Sequence, residues 1–298
     1  MIVAATNNGV YRFDEAARKG APRELLPEVD TRAIDAHNGS WWAVSSDGAL
    51  WCDGEAVAHA SGIAPTALLA LADRVLVGIR GPGLLTLAPN GHSVLTPVDG
   101  FTALSTRDEW HAVGSPLHTR SLTSDATCVY AGIHVGGIAV SSDAGTSWTA
   151  TGFAVEDDVH EVHARRGGDV YAAAGVGFGV SHDGGHTWDW HGKGLHGTYT
   201  RAVATSARMV FASASTGPFT NAAAVYRAPL DVSPAWERCS EMFSDNIDTA
   251  HLVADPDGAT VAFATDDGAL HVSRDDGESW SRIDMGPVSV RGLALLPF

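Results

Sequence analysis

One eight-residue pattern occurs three times in this chain: SSDAGTSW at 141–148, SHDGGHTW at 181–188 and SRDDGESW at 273–280. Each copy has Ser first (Ser141, Ser181, Ser273), Asp third (Asp143, Asp183, Asp275), Gly fifth (Gly145, Gly185, Gly277) and Trp last (Trp148, Trp188, Trp280). The pattern specifies a tight turn between two strands. The short Asp side chain accepts backbone N–H groups about two residues on. The Gly takes backbone angles that a Cβ resists, and the Trp opens the next strand and covers apolar surface. A turn repeated at intervals implies a repeat architecture.

Aligning outward from the turns gives a unit of four short strands. In the last unit these are residues 251–254, 260–265, 269–273 and 280–283. Short apolar runs between Gly, Asp and Asn mark strands, and no long helical period competes. Worn units fit the same frame at 32–36, 41–45 and 49–52, then at 67–71, 74–79 and 84–87, and at 201–205, 209–213 and 224–228. Ser46-Asp47-Gly48 aligns with Asp266-Asp267-Gly268 as a hairpin between the second and third strands. The turn-equivalent positions are Asp14, Asp53, Asn90, Asp143, Asp183, Asp231 and Asp275. Residues 289–296 are a first strand with nothing after it, and 2–5 and 10–13 are second and third strands with nothing before them. Joined, they make one blade shared between 289–296 and 1–26. The expectation is an all-β, seven-bladed β-propeller of four-stranded blades over 1–298, closed by pairing of the N- and C-terminal strands. Closure removes open strand edges.

The repeated turn resembles the Asp-box of the bacterial neuraminidase repeat family, carried by sialidase-like β-propellers. In that family the boxes sit on the face away from the ligand, so the resemblance implies a structural role for the twelve turn residues. Two branches are relevant. Sialidases use an arginine triad on the substrate carboxylate, a Tyr–Glu nucleophile pair and an Asp acid. By that resemblance Arg32, Arg120, Arg201 and Arg291 are candidate arginines, with Tyr199 and Glu161 as the candidate catalytic pair. The chain lacks the sialidase Arg-Ile-Pro signature and has seven units rather than six. The closer branch is similar to the seven-bladed photosystem II assembly factor-like, YVTN-type repeat proteins, which act as binding scaffolds with an arginine patch on one face.

The first-strand starts carry their own signal. They read Arg32-Ala33-Ile34, Thr66-Ala67-Leu68, Arg120-Ser121-Leu122, His160-Glu161-Val162, Arg201-Ala202-Val203, Ala250-His251-Leu252 and Arg291-Gly292-Leu293. First strands line a propeller's channel, so Arg32, Arg120, Arg201 and Arg291 are expected to ring its mouth, with His118, His160, His196, His251 and Tyr199 nearby. Two readings stay open. The arginines are paired within the scaffold by Asp30, Asp157, Asp158 or Asp248, or they form an anion site, for which the planar guanidinium fork suits carboxylate or phosphate. The long segments 97–117, 189–199, 214–223 and 240–248 are expected on the face without the boxes, where binding loops concentrate.

Composition sets the remaining bounds. The net charge is −16 with only two lysines, Lys19 and Lys193. Such a surface disfavours nucleic acid, whose phosphates need basic contacts, and resembles that of a salt-loving microorganism. No apolar stretch of about 20 residues suggests a membrane span, and the N-terminus reads as a strand rather than a secretion signal. Cys52, Cys128 and Cys239 are far apart and not in metal spacing, so reduced thiols in a cytoplasm are expected. No cofactor or metal pattern is visible. The expected function is a monomeric binding scaffold that recognises an acidic peptide, another protein or an anionic small molecule. The alternative is a glycoside hydrolase or lyase acting on an acidic sugar.

Overall fold

The computed structural model describes residues 1–13, 22–87, 94–111, 116–125, 127–219, 222–230, 235–243 and 245–296. Seven four-stranded antiparallel sheets form. Blade one combines Val290–Leu295 with Ile2–Thr6, Gly9–Phe13 and Arg23–Pro27, so the last strand of the chain pairs with the first. Blade two is Thr31–His37, Ser40–Ser45, Ala49–Cys52 and Glu55–His59. Blade three is Pro65–Ala70, Val75–Ile79, Gly83–Leu87 and Thr96–Pro97. Blade four is Thr119–Ser124, Val129–Ile133, Gly137–Ser141 and Thr149–Ala150. Blade five is Val159–Ala164, Val170–Ala174, Phe178–Ser181 and Asp189–Trp190. Blade six is Tyr199–Thr205, Met209–Ser215, Ala223–Pro229 and Glu237–Arg238. Blade seven is Leu252–Ala254, Val261–Ala264, Ala269–Ser273 and Ser281–Asp284. The four-stranded repeat, the count of seven and the closure are those expected from the sequence.

The core lies between blades rather than inside one layer. One apolar cluster joins Leu76 and Leu84 of blade three to Val129, Ala131 and Ile133 of blade four. The next joins Tyr130 and Ile138 of blade four to Val159, Val162 and Ala172 of blade five. The same arrangement continues around the ring. Second strands are therefore covered on both faces. Ile2–Thr6, Val129–Ile133 and Val170–Ala174 are buried at every position. This explains why they read as continuous apolar runs rather than alternating ones.

The repeated turns share one geometry. Asp143 Oδ1 accepts the amides of Thr146 (3.1 Å) and Ser147 (2.8 Å), three and four residues on rather than the two expected. Ser141 Oγ donates to Asp143 and accepts the Gly145 amide at 2.8 Å. Ala144 and Gly145 both have positive φ, 56° and 88°, which tightens the reversal. A Cβ on Gly145 would meet Leu76 Cδ1 at 2.9 Å. The turns at 181–188 and 273–280 repeat the Ser and Asp bonds. Trp148 and Trp188 donate to the Gly carbonyl of their own turn, whereas Trp280 donates to Cys239 O of blade six.

The segment 45–49 forms the expected hairpin between second and third strands, with Ser45 Oγ donating to Asp47 and the Ala49 amide donating to the same carboxylate. Thr265, Asp267 and Ala269 match it. Asp14, Asn90 and Asp231 lie outside the described residues. Part of segment 97–117 departs from the expected face. Its short helix, Asp99–Thr102, packs toward the turn of blade four, with Phe101 edge-on to Trp148 at 5.3 Å and Gly100 against the Thr146 carbonyl. The physical cause is apolar: Phe101, Leu104 and Trp110 are buried in the cluster between blades three and four. The three cysteines are free.

Candidate functional site

The first strands carry a repeated irregularity that aims side chains inward. Pairing skips a residue between Thr31 and Ala33, Pro65 and Ala67, Thr119 and Ser121, and Val159 and Glu161. It skips again between Thr200 and Val203, and between Gly292 and Val290. The unpaired positions include Arg32, Thr66, Arg120, His160, Arg201 and Arg291. A β-bulge leaves one residue out of the ladder and re-aims it, so six blades bulge at the position that the sequence alignment placed in register. Blade seven has no such bulge. Its first strand starts at Leu252, after Ala250 in a left-handed conformation (φ 61°).

A residue not singled out from the sequence anchors several bulges. Thr31, Thr119 and Thr200 precede the arginines and are buried. Thr31 Oγ1 donates to Thr6 O at 2.7 Å, Thr119 Oγ1 to Gly83 O at 2.9 Å and Thr200 Oγ1 to Gly177 O at 2.7 Å. Each bond ties a first strand to the hairpin of the preceding blade. The Thr-Arg dipeptides at 31–32, 119–120 and 200–201 were a visible signal for it.

Side chains also cap the inner edge of neighbouring first strands. Asp35 accepts the Ala70 amide (2.8 Å), Ser121 the Val162 amide (3.0 Å) and Glu161 the Val203 amide (2.9 Å). These amides face the channel without a strand partner, so the caps satisfy groups that burial would otherwise leave unpaired.

Arg32, Arg120, Arg201 and Arg291 all line one cavity of about 1310 Å³, walled by the first strands of all seven blades. The cavity mouth lies at the end of the blades carrying the hairpins between second and third strands, because Thr31 pairs Ser45 and Tyr199 pairs Ser215. The arginines are not equivalent. Arg32 pairs with Asp30 at 2.8 Å. Arg120 and Arg201 converge on Asp248 Oδ1, at 3.4 and 2.7 Å. Arg201 also lies over the Tyr199 ring at 5.4 Å. Arg291 makes no ion pair or hydrogen bond among the described residues, and its Nε is buried without a partner. Arg80, also overlooked in the sequence, is exposed on the same lining.

Burial disfavours the charged form of the histidines on this wall. Burial pushes His118 down to about 4 against the Pro116 carbonyl, with Arg120 adding to the shift. Burial likewise lowers His134 and His251. His118 stacks on His134 at 5.2 Å, and His134 stands 3.6 Å from Asp158. His160 is fully buried, its ring shared between Thr200 O (2.5 Å) and Asp158 (3.2 Å). His196 lies away from the lining, between Tyr226 Oη and Ala222 O. Glu161 and Tyr199 both line the cavity. Both Glu161 oxygens are engaged, by the amides of Val203 and Ala250, and burial raises its carboxyl to about 8. No cluster of three or more metal-ligating side chains occurs among the described residues. No helix is long and apolar enough to cross a membrane.

No protein-family model matches the sequence, and no curated protein matches it. Solved structures do. The computationally designed Ika8 protein is 14% identical, with a TM-score of 0.62, over 97% of this chain and 86% of that one. YCF48 bound to a peptide is 15% identical, with a TM-score of 0.58, over 89% and 92%. An ancestral GH74 enzyme is 13% identical, with a TM-score of 0.60, over 85% of this chain and 38% of the enzyme. At these identities the likeness is one of fold.

Proposed function

We propose that this propeller is a binding scaffold that takes an anionic group, carried by an acidic peptide or a small carboxylic acid, in the arginine-lined mouth of its channel. One observation carries the reading: bulges on separate blades send four guanidiniums into a single cavity, and one of them, Arg291, has no hydrogen-bond or ion-pair partner among the described residues. His134 Nδ1, Arg201 Nε and His251 Nδ1 on the same lining are also buried without a hydrogen-bond partner among the described residues. Unsatisfied groups in one cavity are what a ligand or ordered water completes. The peptide-bound YCF48 structure supports a fold of this kind serving as a peptide platform. The hydrolase or lyase alternative needs a carboxyl free to move a proton, and Glu161 is committed to two backbone amides.

The test is isothermal titration of N-acetyl-triglutamate into the wild-type protein and Arg291→Ala. The reading predicts saturable binding that weakens at least about tenfold in the variant, the loss of one strong charge-assisted contact, with an unchanged melting temperature. Equal affinity in the two proteins contradicts it.

A further inference from the structure

The connection into blade seven does not stay at the rim. Residues 248–250 cross the channel mouth and are tied to four other blades. Asp248 Oδ1 meets Arg201 of blade six and Arg120 of blade four. Thr249 Oγ1 accepts Arg120 Nε at 3.0 Å and donates to His160 O of blade five at 3.1 Å. The Ala250 amide donates to Glu161 at 3.1 Å, and Ala250 O accepts the Leu293 amide at 2.8 Å. This crossing accounts for the missing bulge and the late start of the first strand in blade seven.

We infer that Arg120 and Arg201 form a carboxylate subsite that the free protein fills with its own Asp248. The inference rests on the anion-binding reading and deepens it. Two guanidiniums from different blades are donors arranged around a single carboxylate oxygen, and the Thr249 hydroxyl beside them accepts Arg120 Nε. Arg201 Nε remains buried and unpartnered, so the internal carboxylate leaves part of the donor set unused. The Asp248 side chain is 43% exposed, which leaves it open to competition from solvent. A ligand bearing two or more carboxylates then engages Arg291 and displaces Asp248 from the pair. The strap sets both affinity and ligand class: a monoanion has no means of replacing Asp248 while held at Arg291, and a polyacid does.

The test titrates N-acetyl-triglutamate into wild type, Asp248→Asn, Asp157→Asn and the double variant Arg120→Gln/Asp248→Asn. The expected result is at least about tenfold tighter binding to Asp248→Asn and less than about twofold change for Asp157→Asn. The gain should be lost in the double variant. Binding to Asp248→Asn that is unchanged or weaker overturns the inference and leaves the anion site at Arg291 standing. Binding by Asp248→Asn alone upholds the inference and removes the claim that the wild-type mouth is open. No binding by either protein overturns both. Should Asp248→Asn fail to fold, hydrogen exchange on the wild type decides. Faster exchange of the Thr249 and Ala250 amides at saturating triglutamate upholds displacement, and unchanged or slower exchange overturns it.

Discussion

Glu161 shows how one residue can carry two meanings in a sequence. Its place beside the first-strand arginines suits a catalytic carboxyl, but its two oxygens hold the amides of Val203 and Ala250. Burial raises its carboxyl to about 8, with those amides and Arg120 opposing the shift. An unfolded Glu titrates near about 4.3. A raised acid binds more protons in the folded state, so its stabilising contribution is full below about 4.3 and is lost as pH rises toward 8. Glu161→Gln removes this titration. The melting temperature of the variant relative to wild type is therefore expected to climb steadily from pH 5 to pH 8 in a thermal scan. A constant difference across that range would place the pH dependence elsewhere. Asp143 and Asp275 run the opposite way, held at about 2 first by the Ser147 and Ser279 hydroxyls. Their geometry was legible in sequence because every partner lies within four residues. The partners of Glu161 are 42 and 89 residues away, and no local pattern encodes them.

At the scale of the element, the first strand is the unit that matters. Its register could be read from the apolar residue after each arginine, since burial between blades fixes which side chains face inward. The bulge itself was not foreseen, and it is what re-aims the arginines. Nor was the preceding Thr, whose hydroxyl bonds to a carbonyl of the neighbouring blade. Thr200 makes the most of these bonds, accepting the Ala174 amide at 2.9 Å and donating to Gly177 O and Ala174 O. Thr200→Val keeps the shape and leaves buried backbone groups unpaired. The expected cost is about 1–3 kcal/mol in chemical denaturation, together with weaker triglutamate binding as Arg201 loses its anchor. A loss under about 0.5 kcal/mol would show that the hydroxyl does not hold the bulge. The sequence offered Asp248 as a partner for the arginines, but the crossing of 248–250 over the mouth escaped it: the crossing belongs to one blade only, and repeat alignment discards what does not repeat.

For the whole molecule, closure and cavity are the same fact. Pairing of Val290–Leu295 with Ile2–Thr6 completes the ring, and the ring brings Arg291 from one end of the chain into the cavity with Arg32, Arg120 and Arg201. A protein of net charge −16 thus gathers arginines at its axis beside Asp158, Asp248 and Asp266, and on the proposed reading they act on an anion entering between low-dielectric walls. Burial disfavours the charged form of the wall histidines, so the cationic groups of the lining are its arginines. The most direct measurement is a crystal structure of the protein with N-acetyl-triglutamate. The account predicts a carboxylate inside the cavity, within about 3 Å of the Arg291 guanidinium. A ligand seated at the opposite end, on the turns containing Asp143, Asp183 and Asp275, or a cavity left without it at saturation, would contradict the account.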